Sequence, residues 1–160
     1  MRPLTFPISF SFLLAVIAAP SIAQNSPEGR LVTPDEIREG LTPDGSRWIT
    51  FGGDYNNQRH SPLTQITTEN VHQLVPQWTF QTNVLEKFET TTLFRDNVLY
   101  VTGPLNTAWA LDARSGRPFW EYRREVPEFL TACCGLVNRG FAMMGDKLYM
   151  VTLDAHLLAF

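Results

Sequence analysis

From Pro76 onward the apolar residues come in short alternating or continuous runs, each closed off by Gly, Asn, Asp or Pro. "QWTFQT", "TTLF", "NVLYVTG", "TAWALDA" and "KLYMVTL" have the length and composition of β-strands. So many short strands at close spacing predict a sandwich, a barrel or a propeller. Upstream the pattern differs. Thr33-Pro34-Asp35-Glu36 predicts a short helix in which Thr33 caps, Pro34 fits the first turn and Glu36 closes a capping box. Gly40 stands where that helix would stop. Trp48 to Phe51 predict a brief strand, "GGDYNNQRHSPL" an irregular loop, and "ITTENVHQL" a second short helix capped by Thr67.

An internal repeat narrows the choice. "LYVTGPLNTAWAL" at 99–111 and "LYMVTLDAHLLAF" at 148–160 align without gaps at an offset of 49 residues, matching Leu99 to Leu148, Tyr100 to Tyr149 and Ala110 to Ala159. A period near 50 is a propeller-blade signature. The fold class is therefore all-β, with about two blades in 76–160 behind an N-terminal extension with short helices in 24–75. Closed propellers need ~4 to 8 blades, so the chain reads as the N-terminal portion of something larger.

The first residues set the compartment. Arg2 is the only charge before Glu28, Ile8 to Ala19 are apolar or uncharged, and Ser21-Ile22-Ala23 has the small-x-small form of a signal-peptidase site. The run is shorter than the ~20 apolar residues of a spanning helix. Residues 1–23 are thus expected to be a cleaved signal peptide, with Gln24 first in the mature chain and the periplasm as its destination. Thirteen Lys and Arg against sixteen Asp and Glu leave a net charge of −3 with no basic cluster, which argues against nucleic acid as a partner.

Export bears on the two cysteines, Cys133 and Cys134, which are adjacent. Disulfides form and persist outside the cytosol. Neighbouring Cα atoms lie ~3.8 Å apart, whereas ordinary disulfides join Cα atoms ~4.4 to 6.8 Å apart. A bond between them would close a strained ring with little value as a staple but with a flat apolar sulfur surface. A reduced pair, or bonds to other chains, would also accommodate the spacing. His60, His72 and His156 show no ligand spacing, Gly52-Gly53 lacks the rest of a dinucleotide or phosphate loop, and no Gly-x-Ser-x-Gly elbow occurs. Asp35 and Glu36 read as favourable charge at a helix N-terminus.

"ALDARSGRPFW" closely resembles the tryptophan-docking motif of quinoprotein propellers, with Ser115 where Thr is usual and Trp120 placed to lay its ring on a neighbouring blade. "CCGLVNRG" resembles the corresponding segment of periplasmic PQQ-dependent alcohol dehydrogenases of the methanol and ethanol dehydrogenase type. The likeness runs from about Thr33 to Phe160 and includes the approach "FGGDYNNQRHSPLTQITTENVHQLVPQWTF". It implies an eight-bladed propeller that holds pyrroloquinoline quinone (PQQ) and a calcium or lanthanide ion on its axis. By the same resemblance Cys133 and Cys134 form a disulfide ring packed on PQQ, Arg139 pairs with a cofactor carboxylate, and Glu89 contacts the cofactor rim. A guanidinium suits that task because it meets a carboxylate with two parallel hydrogen bonds. Glu89 stands in a softer match, since the family often has Pro where Thr92 is.

The implied activity is oxidation of a small alcohol, with electrons passed to a cytochrome c or a quinone. The resemblance also leaves room for membrane association through the complete protein. The family's catalytic aspartate and metal ligands fall beyond residue 160, so none is assigned here, and the chain alone is expected to be inactive. The rival reading is a non-catalytic propeller scaffold of the cell envelope, which has no use for the double cysteine. Membrane-bound glucose dehydrogenases, also PQQ-dependent, are expected to carry several spanning helices and no adjacent cysteines, the reverse of what stands here.

Overall fold

The computed structural model describes residues 31–160, so the expected signal peptide lies outside the described residues. The short helix α1 spans Pro34–Glu39. Thr33 Oγ1 accepts from the Glu36 N–H and Glu36 Oε2 accepts from the Thr33 N–H, each at 3.1 Å, and Gly40 ends the helix at φ 70°. Glu36 does more than cap: it is buried beside the Arg47 and Arg95 guanidiniums at 3.4 Å. The helix end is thereby tied to two strands.

Those strands open a five-stranded antiparallel meander, β1 (Arg47–Trp48), β2 (Leu93–Arg95), β3 (Val98–Gly103), β4 (Thr107–Asp112) and β5 (Pro118–Arg123), paired in that order. A second sheet holds β6 (Ala142–Met144), β7 (Lys147–Val151) and β8 (Leu157–Ala159). The repeat is realised in space: β3–β4 and β7–β8 are equivalent hairpins of the two sheets. Three sequence expectations need correcting. The strand expected at 48–51 is Arg47–Trp48. "QWTFQT" pairs with no strand. "ITTENVHQL" is capped by Thr67 as expected, its Oγ1 accepting from the Glu69 N–H and its carbonyl from the Val71 N–H, but it forms only a short 3-10 turn, Val71–Gln73.

Side chains alternate across a strand, and the register shows what each face meets. Leu93, Tyr100, Ala110 and Trp120 form one cross-strand row, with Ala108 and Tyr122 in the next. This face meets Met143, Met150, Leu148 and Leu158 of the second sheet in one core with Ile37 and Ile49. Trp120 stacks on Phe160 at 5.7 Å and meets Phe141 edge-on at 6.4 Å. It therefore lays its ring against the neighbouring sheet as expected.

The opposite face carries Trp109, fully buried, and is covered by the chain leading into β2. Phe80 meets the Trp109 ring edge-on at 5.8 Å and Phe88 stacks on it at 6.3 Å. Trp78, which the sequence reading did not single out, donates from Nε1 to the Ala113 carbonyl at 3.1 Å. A Cβ on Gly116 would sit 2.4 Å from that indole, so the docking turn needs glycine for contact as well as for its φ of 71°. No helix among the described residues is long and apolar enough to cross a membrane.

Candidate functional site

The meander sorts its connections to two ends. The β2–β3, β4–β5 and β6–β7 turns share one end with α1. The β3–β4 turn, the β7–β8 turn and the long connection from β5 to β6 share the other. That connection, residues 124–141, carries the cysteine pair and Arg139.

It is fastened at both ends and in the middle. Arg124 forms a two-pronged ion pair with Asp154 of the β7–β8 turn, at 2.7 and 3.1 Å, and this hydrogen bonding holds the Asp154 carboxyl well below the usual carboxylate range. The Leu105 N–H donates to the Leu136 carbonyl at 2.9 Å. Asn138 donates from Nδ2 to the Val151 carbonyl and accepts at Oδ1 from the Gly140 N–H. The Thr91 N–H then donates to the Arg139 carbonyl at 3.2 Å, within a parallel bridge between Thr91 and Gly140. A Cβ on Gly140 would lie 2.9 Å from the Thr91 carbonyl oxygen, and its φ is 132°. Asn138-Arg139-Gly140 thus works as a unit. Asn and Gly set the backbone so that the approach to β6 runs beside the approach to β2, and Arg139 is presented between them.

Glu89 belongs to the approach to β2. Its Oε2 accepts from Arg139 at 2.8 Å, and both side chains remain open to solvent, 37% and 62%. One guanidinium nitrogen is committed there. Cys133 and Cys134 are exposed thiols with sulfurs 2.9 Å apart. Cys134 raises the Cys133 thiol, chiefly by sharing a hydrogen bond, and the positive charge of Arg139 opposes the rise. All four residues singled out from the sequence therefore lie at one end of the sheets, with Glu89 and Arg139 in direct contact. The arrangement also includes Lys87, whose Cδ lies 3.8 Å from where a Gly135 Cβ would stand. No motif flagged it.

A groove of about 510 Å³ runs from Asn138 and Arg139 along the far face of the second sheet, past Tyr149, Val151 and Leu157, to Phe51. Val151 and Leu157 are 63% and 68% exposed. It touches Arg139 but not the cysteines or Glu89, so it is not the pocket that those residues would form. Among the described residues no cluster of three or more His, Cys, Asp or Glu is placed to hold a metal ion.

The donor set suits a planar polycarboxylate: a guanidinium with nitrogens to spare and an adjacent pair of exposed sulfurs. Comparison with known proteins points the same way. Residues 48–160 match the PQQ family of glucose, ethanol and alcohol dehydrogenases, in its β-propeller domain. The chain is 38% identical over 151 residues to the 1-butanol dehydrogenase (quinone) of Thauera butanivorans, covering 92% of this chain and 24% of that protein. Its fold matches the quinohemoprotein alcohol dehydrogenase of Comamonas testosteroni with a TM-score of 0.73 at 31% identity, over 81% of this chain and 19% of that one. It matches a europium-containing methanol dehydrogenase with a TM-score of 0.71 at 32% identity, over 79% and 23%. The chain spans about a quarter of the length of the curated relative. It belongs to the PQQ-dependent quinoprotein alcohol dehydrogenases and carries part of their β-propeller.

Proposed function

We propose that this chain is the N-terminal part of a periplasmic quinoprotein dehydrogenase that oxidises primary alcohols. Its complete propeller would have eight blades. PQQ, when bound, supplies the hydride acceptor. Arg139 takes one of its carboxylates, Cys133 and Cys134, joined to each other, offer a flat sulfur surface to its ring, and Glu89 lies at its rim. A calcium or lanthanide ion and the base that removes the alcohol proton would be held by the rest of the protein, and electrons would leave to a cytochrome c or a quinone. The observation that carries this reading is the convergence of Glu89, Arg139 and the cysteine pair at one end of two propeller sheets. The relatives' names add the quinone, the haem and the lanthanide as acceptor and metal chemistry in similar proteins.

The test is dye-linked oxidation of ethanol and 1-butanol by the complete protein, reconstituted with PQQ and either calcium or a lanthanide. Turnover should require PQQ. A propeller that neither binds PQQ nor turns over would be the scaffold instead. Residues 24–160 alone should read at background, because they would meet the cofactor from one side only, without an ion or a positioned base.

The cysteine pairing has its own test. Peptide mapping of protein taken from the periplasm should begin at Gln24, show no alkylatable thiol, and give a Cys133–Cys134 peptide about two mass units lighter than the dithiol. Two alkylated cysteines in that sample would refute the ring.

A further inference from the structure

We infer that Lys87 is a second anionic-ligand anchor of the cofactor site, binding a carboxylate of PQQ beside the Cys133–Cys134 turn. The inference rests on the reading of this site as a PQQ site, and it follows from the charges around it. Arg139 is already paired with Glu89 at 2.8 Å, so the two together bring no net charge. The cysteine pair, joined as proposed, brings none. PQQ carries three carboxylates, and the Arg139–Glu89 pair and the cysteines, neutral together, add no net attraction for them from this side of the site.

Lys87 supplies a net positive charge on this side. Its stem lies against the turn that follows the cysteines, with Cδ 3.8 Å from the Gly135 Cβ position. Two residues on, Glu89 reaches Arg139 in the same connecting loop, while Phe88 between them turns the other way and stacks on the buried Trp109. The alternation around Phe88 thus sends residues 87 and 89 to one side, toward residues 133–139. Lys87 makes no ion pair among the described residues, and the adjacent Glu86 is paired with neither Lys87 nor Arg139. An ammonium held at its stem and free at its tip is a compact charge available to a ligand carboxylate. Gly135, at φ 92°, holds the turn in a backbone conformation that a side chain would strain.

The experiment is equilibrium binding of PQQ to the complete apoprotein, read by quenching of tryptophan fluorescence at several salt concentrations. Lys87→Gln should weaken binding by about 2- to 5-fold, in the range of a partly exposed charge contact, and should flatten the salt dependence. Lys87→Arg should bind like the natural protein, and Lys87→Glu should bind more weakly than Lys87→Gln. Arg139→Gln runs in parallel as a control on the underlying reading. If Arg139→Gln weakens PQQ binding while Lys87→Gln leaves both affinity and salt dependence unchanged, the role of Lys87 is refuted and the site stands. If neither change affects PQQ binding, the cofactor site itself is elsewhere.

Discussion

Arg139→Ala in the complete protein is expected to weaken PQQ binding about 100-fold with little change in folding stability, because truncating one partner of a hydrogen-bonded charge pair costs most where the other charge is left unmatched. The loss falls on binding and not on the fold for a structural reason. In this structure the Arg139 side chain is 62% exposed and its ion pair is with Glu89, itself part-exposed. Pairs of that kind contribute about 0.2 to 1 kcal/mol. Backbone contacts of residue 139, the Thr91 N–H to its carbonyl and the bridge at Gly140, do not depend on the side chain. Arg139→Lys should fall between, at about a tenfold loss, since an ammonium keeps the charge but gives up the two-pronged geometry. Fluorescence titration with PQQ and a denaturation curve of the same apoprotein separate the two effects. An unchanged PQQ affinity would remove Arg139 from the site.

Much of this arrangement is legible in the sequence, and the exceptions have physical causes. The capping box at Thr33 and Glu36 is local, so four residues suffice to predict it. What they cannot show is that Glu36 also neutralises Arg47 and Arg95, because those partners come from strands 11 and 59 residues away. The two sheets follow from the 49-residue repeat, since each copy contains a whole hairpin. "QWTFQT" alternates like a strand yet pairs with none: its role is to lay Trp78 and Phe80 on a sheet face, and alternation alone does not distinguish covering a face from joining it. A shorter repeat would have given the clue. Pro76-Gln77-Trp78-Thr79-Phe80 and Pro118-Phe119-Trp120-Glu121-Tyr122 share Pro-x-Trp-x-aromatic, and both tryptophans lie against another part of the fold.

The site residues divide in the same way. Cys133, Cys134 and Arg139 lie in one short motif and could be read as a group. Glu89 is 50 residues from Arg139, and only the parallel run of the approaches to β2 and β6 brings them together. Lys87 has no motif at all. Its position depends on Phe88, and Phe88 depends on Trp109.

That dependence carries the second large effect. Trp109→Ala should destabilise the protein by about 3 to 5 kcal/mol, the usual cost of emptying a large aromatic site in a core. Trp109 is fully buried, its ring fills the space over Gly103, and it holds Phe80 and Phe88 on the outer face of the first sheet. No other side chain on that face could replace such an area. The indole Nε1 has no hydrogen-bond partner among the described residues, so the ring is held by packing and its polar atom stabilises nothing. Trp109→Phe therefore loses part of the ring but also removes a buried unpaired N–H, and should cost about half as much or less. Function should follow stability in a specific way. With the indole gone, Phe88 loses the surface that turns Lys87 and Glu89 toward residues 133–139, so Trp109→Ala should weaken PQQ binding even where the protein is still folded, while Trp109→Phe should largely preserve it. Guanidinium denaturation and PQQ titration of both variants check the two halves. If Trp109→Phe proved as damaging as Trp109→Ala, the indole nitrogen would have a partner that matters, and packing alone would not explain how this segment is held.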